Sequence, residues 1–194
     1  AGRSGSTSHT SVSNNARIVS TGVTWSSSAV AGSNTNTTTD KTTKTATIKS
    51  TLGDSYRTTV YNSWKKDSTV RQGQWSSHGI NNGCWFYGSQ FEEYKNKDIQ
   101  KITITIKRQS GGSSGAVTHT LKMHNHATRP SGKPTYSTAF SRNFSLAVNE
   151  SITITLTSSA DINAFKANKG FGLVNNSYYS VCSGSATVKI TYKE

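Results

Sequence analysis

Acid is scarce in this chain: nine Asp and Glu stand against 22 Lys and Arg, a formal charge of +13. Most sugar-cleaving enzymes need two carboxylates in one cleft, and the spacing of these nine proposes no pair. Glu92 and Glu93 are neighbours that would point to opposite faces of a strand. Asp40 and Asp54 lie in or beside loops, Asp161 reads as a helix cap and Glu194 is terminal. Apolar residues are scarce too. Only 31% of the 194 residues are hydrophobic, with five Leu and one Met. That supply fits a thin core between two sheets, each with one wet face, better than a helical bundle. No apolar run approaches the length of a membrane span and no signal peptide is present, so no membrane partner is expected. The chain begins at Ala1 rather than Met and reads as a processed product or an excised fragment.

Cysteine is limited to Cys84 and Cys182, too few for a disulfide-built scaffold. Two buried free thiols are the expectation, with one bridge as the alternative.

Ser and Thr are abundant instead, at 31 and 28. Thr favours strands and Ser favours turns. The fold class that follows is all-β: a two-sheet antiparallel β-sandwich of jelly-roll type, with at most one or two short helices. Residues 1–15, AGRSGSTSHTSVSNN, cannot bury a core and read as a flexible linker, leaving 16–194 as the sandwich domain. A weak strand is expected at Arg17–Thr21, a loop over Ser26–Thr43, and strands at Lys44–Ser50 and Arg57–Trp64, the last with a turn at Asn62-Ser63. Val70–Trp75 and Cys84–Tyr87 read as strands joined by a loop over Ser76–Gly83. Gln100–Lys107 alternates Ile with Lys or Thr and is the strongest strand signal in the chain. With the turn Gly111–Gly115 and the strand Val117–His124 it predicts a hairpin. Ser151–Thr157 repeats the ITIT alternation, Ser159–Asn168 predicts one short helix capped by Asp161, and strands follow at Phe171–Val174 and Thr187–Tyr192.

The positive field attracts polyanions. Nucleic acid, teichoic acids and acidic polysaccharides all qualify, but the basic residues are scattered singly or in pairs such as Lys65-Lys66, which weighs against nucleic acid. Nucleophile and phosphate-binding motifs are absent. His124 and His126 share a face of an extended strand, yet no third ligand is supplied locally, so they read as a polar cluster rather than a metal site. No cofactor, metal or catalytic residue is expected.

Aromatic rings remain. QGQWSSHGINNGCWFYG, Gln72–Gly88, packs two Trp, a Phe-Tyr pair and a His between glycines and asparagines. Sugars present apolar C–H faces that stack on Trp and Tyr, while Asn, Arg and His bind hydroxyls. The candidate ligand-binding residues are Tyr61, Trp64, Trp75, His78, Asn81, His124, Tyr136 and Tyr178. On the strand itself Cys84 and Phe86 face one way and Trp85 and Tyr87 the other, so at least one of these pairs is core.

Taken in order, SYRTTVYNSW, VRQGQWSSHGINNGCWFYG and DIQKITITIKRQSGGSSGAVTHTLKMHNHATRPSGKPTYS resemble a module of tail and baseplate proteins from phages of Gram-positive bacteria. The elements that carry the likeness are Gln72-Gly73, the strand Trp85–Gly88, the Ile-rich strand Ile102–Ile106 and the Leu121–His124 end, within a span from Tyr56 to the C-terminus. The resemblance implies a β-sandwich carbohydrate-binding module on a virion adhesion device, such as an accessory baseplate protein of a lactococcal-type siphophage. Its partners would be host cell-surface polysaccharide or teichoic acid, and other baseplate or tail proteins reached through a missing N-terminal part. Where the family pattern has His-Arg before the aromatic strand, this chain has Asn81-Asn82-Gly83-Cys84, which implies a different specificity. The alternatives are a purely structural tail protein without a saccharide site, a wall-polysaccharide hydrolase and a nucleic-acid binder.

Overall fold

The computed structural model describes residues 40–176 and 178–194, within the second of the two units into which the chain divides, Asp40–Glu194. The expected linker, the strand Arg17–Thr21 and most of the loop from Ser26 lie outside the described residues. The described residues form twelve strands and one α-helix: β1 Thr43–Lys49, β2 Leu52–Arg57, β3 Ser63–Trp64, β4 Thr69–Gln74, β5 Ile80–Phe86, β6 Asp98–Gly112, β7 Val117–His124, β8 Arg142–Leu146, β9 Ser151–Leu156, α1 Ser159–Lys166, β10 Gly170–Leu173, β11 Ser180–Ser183 and β12 Thr187–Lys193. No described helix is long and apolar enough to cross a membrane. All pairings between named strands are antiparallel. One layer runs β1-β12-β6-β9 and the other β3-β2-β5-β10-β7-β8, and β11 and β4 carry the hydrogen-bonded path from β6 to β5. The curled sheet is the all-β sandwich that the composition predicts.

Alternation drives the first layer. Ile102, Ile104 and Ile106 of β6 are fully buried, and Val188 and Ile190 of β12 lie opposite on the same face. Burying each such side chain contributes about 1.5–3 kcal/mol. A β-bulge at Gln100 lets Ile99 rejoin that face, although it is three residues from Ile102. The opposite face of this layer is wet and consists mainly of Thr and Lys, with Ser151 on β9 and Asp98 and Gln100 at the start of β6. In register, Thr47, Lys189, Thr103 and Thr155 form one row, Lys49, Thr187, Thr105 and Thr153 the next, and Thr45, Thr191 and Lys101 a third.

In the second layer both faces of β5 are buried. Trp85 and Tyr87 enter the main core beside Phe91, Phe165 and Phe171, and Cys84 and Phe86 pack on Tyr56 and Trp64 in a smaller apolar cluster. Both cysteines are free and buried, with burial pushing each thiol up to about 12.

The expected hairpin of β6 and β7 does not form. β6 is already flanked by β12 and β9 along its first part and by β11 at its end, while β7 pairs with β10 and β8. The glycine-rich 111–115 segment carries the chain between layers instead. Arg108, fully buried, fixes that crossing by donating to the carbonyls of Gly115 and Leu146 at 2.7 Å each and to that of Ser113. Residues 57–64 are not one strand either. β2 ends at Arg57, and the turn that follows holds Thr59 and Asn62 at φ 67° and 44° before the two-residue β3. β5 begins at Ile80, inside the loop expected over Ser76–Gly83. The helix cap is Ser158, whose Oγ accepts from the Asp161 N–H at 3.1 Å. The Asp161 carboxylate is held by Arg142 at 2.7 Å. Short strands β2, β8 and β11 have too little alternation to stand out in sequence.

His119 and His124 are fully buried, His119 beside Ser180 Oγ at 2.7 Å and His124 against Phe86. Burial lowers both to about 4 from the usual 6.5, so the fold favours the neutral rings. Their contribution is complete above the unfolded value and is lost as pH falls towards the folded one. Thermal melts should therefore show stability dropping between about pH 6.5 and about pH 4, by on the order of 2–3 kcal/mol per ring, ahead of most carboxylate protonation.

Candidate functional site: an aromatic-edged groove

Three connections meet at one end of β4 and β5. The turn after β2 carries Tyr61. The link between β4 and β5 carries Trp75 and a 3-10 turn, Ser76–His78. The approach to β11 carries Tyr178 and Tyr179. Gly79 sits at φ 85°, and a Cβ there would lie 2.5 Å from the Thr58 carbonyl, so glycine lets the first two loops touch.

The contact lines up four rings. Tyr61 and His78 are 6.0 Å apart and 12° from parallel, His78 and Trp75 4.5 Å and 20°, Trp75 and Tyr179 5.3 Å and 15°. Arg57 closes one end with its guanidinium 4.0 Å from the Tyr61 centroid. Trp75 thus stacks with two rings, His78 and Tyr179, while remaining 38% exposed. Tyr178 is different: it is 69% exposed and outside the stack.

Trp75, Tyr178 and Tyr179 edge a groove of about 1190 Å³ whose remaining lining comes from β4, the end of β6 with Ser113 beyond it, Asn176, and Val181 of β11. Gly111 and Gly112, at φ 116° and 78°, shape its floor. A Cβ on Gly112 would stand 2.2 Å from the Tyr179 carbonyl oxygen, the same oxygen that accepts from the Ser113 N–H at 3.0 Å. The polar residues lining the groove are Gln74, Gln109, Asn176, Thr69, Ser110, Ser113 and Arg71, of which Thr69 donates its hydroxyl to Asp67 at 2.7 Å and Gln74 its Nε2–H to the Ser76 carbonyl at 2.6 Å. Arg71 is already committed, donating twice to Asp67 at 2.7 and 2.6 Å. Burial raises the Asp67 carboxyl, but hydrogen bonds from Arg71, Thr69 and Lys65 more than offset it and hold the group well below the usual range.

No carboxylate lines the groove among the described residues. Elsewhere Asp54, fully buried in β2 rather than in a loop, takes Arg129 at 2.6 Å and the N–H groups of Ser55 and Lys66. Glu92 and Glu93 lie in a 3-10 turn, and Glu194 is held by Lys44 and Lys97, which lower it to about 2. No group of three or more His, Cys, Asp or Glu could hold a metal among the described residues. His126 Nε2 accepts from the Thr135 N–H at 3.1 Å, and His124 Nδ1 from the His126 N–H at 3.3 Å.

Four of the eight sequence candidates therefore meet at this surface: Tyr61, Trp75, His78 and Tyr178. The other four lie in the interior or beneath a loop. Trp64, 6% exposed, packs edge-on against Tyr56 and Phe86 and donates its Nε1–H to the Pro130 carbonyl at 2.7 Å. Its polar sequence neighbours Ser63 and Lys65 hid that burial. Tyr136 stands half-buried with its hydroxyl 3.1 Å from Cys84 Sγ, His124 is edge-on to its ring, and Asn81 is buried within β5. The groove residues that sequence reasoning missed, Gln74, Gln109 and Asn176, carry no local signal, because the groove is assembled from three distant segments.

Trp64→Ala should cost about 3–5 kcal/mol, as expected for a buried ring whose removal leaves a cavity. Tyr178→Ala should stay within about 0.5 kcal/mol of the parent. Urea unfolding of the two variants checks both assignments.

No protein-family model matches the chain, and no curated protein matches it. Among solved structures it is similar to a chain from the disulfide-linked pili of Bacillus endospore appendages, at 9% identity over 79% of this chain and 89% of that one, with a TM-score of 0.32.

Proposed function

We propose that the protein is a non-enzymatic saccharide-binding module that uses the groove beside Tyr178, and that it serves a phage tail or baseplate in holding host cell-wall polysaccharide. The observation that carries the reading is Tyr178 itself: a ring 69% exposed, at the rim of a groove lined by amides, hydroxyls and glycine backbone. Leaving such a ring in water is unfavourable unless something covers it. A pyranose does so well, because its C–H face stacks on the ring while Gln74, Gln109 and Asn176 reach its hydroxyls. The neighbouring rings hold one another, so the groove wall is ordered before ligand arrives and little entropy is lost on binding. A lining without carboxylates supports binding rather than glycoside cleavage, which needs a pair. The phage assignment rests on the resemblance of the sequence to baseplate modules. Weak single-site affinity suits that role, since a virion displaying many copies gains by avidity.

The test is labelling of Gram-positive cells with the fluorescently tagged chain, with and without excess purified wall polysaccharide. Labelling abolished by the polysaccharide is expected, and Tyr178→Ala should weaken it about tenfold, the equivalent of roughly 1.4 kcal/mol of stacking. Labelling by the folded Tyr178→Ala chain at parent strength would remove the groove from the reading. No labelling by the folded parent would favour a structural tail protein.

A further inference from the structure

The wet face of the β1-β12-β6-β9 layer carries Lys49, Lys101, Lys107, Lys189 and Lys193, all exposed. None of the five has a carboxylate within ion-pair distance among the described residues. The ion-paired lysines are others: Lys44, Lys65, Lys95, Lys97 and Lys169. Register places Lys101 opposite Thr191, diagonal to both Lys189 and Lys193, and Lys49 opposite Thr187, diagonal to Lys189. Diagonal positions on a sheet are about 7–8 Å apart at the backbone, so Lys49, Lys189 and Lys101 mark an oblique line across three strands, with Lys193 diagonal to Lys101. Asp98 lies opposite Lys193, at one end of this group. Between the lysines stand threonines, two cross-strand pairs of which bring their hydroxyls together, Thr45 with Thr191 at 3.4 Å and Thr105 with Thr153 at 2.9 Å.

Lysine on an edge strand is explained by the need to discourage edge-to-edge pairing. That accounts for Lys49 on β1. It does not account for Lys101 and Lys189, which lie on β6 and β12, strands already paired on both sides. Four like charges this close repel one another, at a cost that is relieved when an anion lies across them. The face holds no aromatic ring and no arginine, so it has neither a platform for stacking nucleobases nor the fork that reads base edges. It has point charges for phosphates and hydroxyls for a polyol.

We infer that this face is a second binding surface, docking an extended polyol-phosphate polymer by its phosphates. The inference stands independently of the groove.

The experiment is fluorescence anisotropy of a labelled poly(glycerol phosphate) chain with the full 194-residue protein over a series of salt concentrations, using three proteins. The first is the parent. The second carries Lys101→Gln, Lys107→Gln and Lys189→Gln. The third carries Lys95→Gln, Lys122→Gln and Lys133→Gln, which lowers net charge equally from elsewhere. The parent should bind. The face variant should lose at least tenfold in affinity, and its slope of log affinity against log salt should be shallower by about 2, at roughly 0.7 per lost contact. The third protein should stay within about threefold of the parent, since exposed pairs and distant charges contribute little. If the triple face variant melts early, Lys101→Gln and Lys189→Gln made singly should each lose affinity about two- to threefold. Equal losses in both triple variants would reduce the effect to net charge and overturn the inference. So would unchanged binding by the face variant, no binding by the parent at low salt, or tighter binding of a duplex DNA probe than of poly(glycerol phosphate) at the same salt.

Discussion

Trp85 of β5 and Tyr87 just beyond it enter the core on one side, Cys84 and Phe86 on the other, and both sides are dry. A strand buried on both faces must find apolar cover twice, which is demanding in a chain with so few large apolar residues. The main core covers one side. The other is covered by Tyr56 and Trp64, with Tyr136 packed against them. The loop around Pro130 is tied down to Trp64, while Arg129 is drawn to the buried Asp54. An uncompensated carboxylate at Asp54 would cost several kcal/mol, so that loop is fixed by charge as well as by packing. β5 in turn pairs with β2, β4 and β10, and the connections leaving β2 and β4 carry Tyr61, Trp75 and His78. The groove is thus positioned by the strand whose own aromatics never reach it.

The same two-sided burial explains how far the sequence could be read. Strict alternation made the Ile-rich stretch of β6 and the ITIT stretch of β9 plain, and they do pair, Ile104 with Ile154 and Thr105 with Thr153. The hairpin failed because a glycine-rich link between two alternating strands is a local signal, whereas pairing is decided by which partner buries more. For β6 those partners are β12 and β9, far along the chain. Trp64 and Tyr136 misled for a related reason. Polar neighbours mark a surface when a strand has one wet face, but next to β5 the second face is also core. Among the candidate residues, Trp75 and Tyr178 flank turns with no alternating strand of their own, so nothing drew them inward. Gln74, Gln109 and Asn176 were invisible because an amide acquires a binding role only from what folding places opposite it.

Charge is sorted in this fold rather than spread. Five of the nine acids are held in ion pairs: Asp54 with Arg129, Asp67 with Arg71 and Lys65, Asp161 with Arg142, Glu92 with Lys95 and Lys169, and Glu194 with Lys44 and Lys97. These pairings consume carboxylates at loop and strand ends, and the lysines of the β1-β12-β6-β9 face are left without a carboxylate partner among the described residues. A field from unpaired cations on one face is directional, and it brings a polyanion to that face in preference to the rest of the surface.

β6 joins the two surfaces. It presents Lys101, Thr103, Thr105 and Lys107 on the wet face of its layer and then runs directly into the groove with Gln109 and Ser110. Lys107 and Gln109 are two residues apart and both exposed, with the buried Arg108 between them. Residues two apart on a strand point the same way, so Lys101 and Lys107 of the cationic face and Gln109 of the groove lie along one strand. A wall polymer that carries phosphates in its backbone and sugars as substituents has both chemistries within a few repeats. If the groove takes the sugar and the lysines take the phosphates, one chain satisfies both in a single pass along β6. The two contacts then reinforce each other as tethered sites do, the second forming at the high effective concentration that the first supplies. Salt would weaken the phosphate contacts while leaving the stacking contact nearly untouched, because only the former release counterions. The two surfaces can therefore be separated by ionic strength alone.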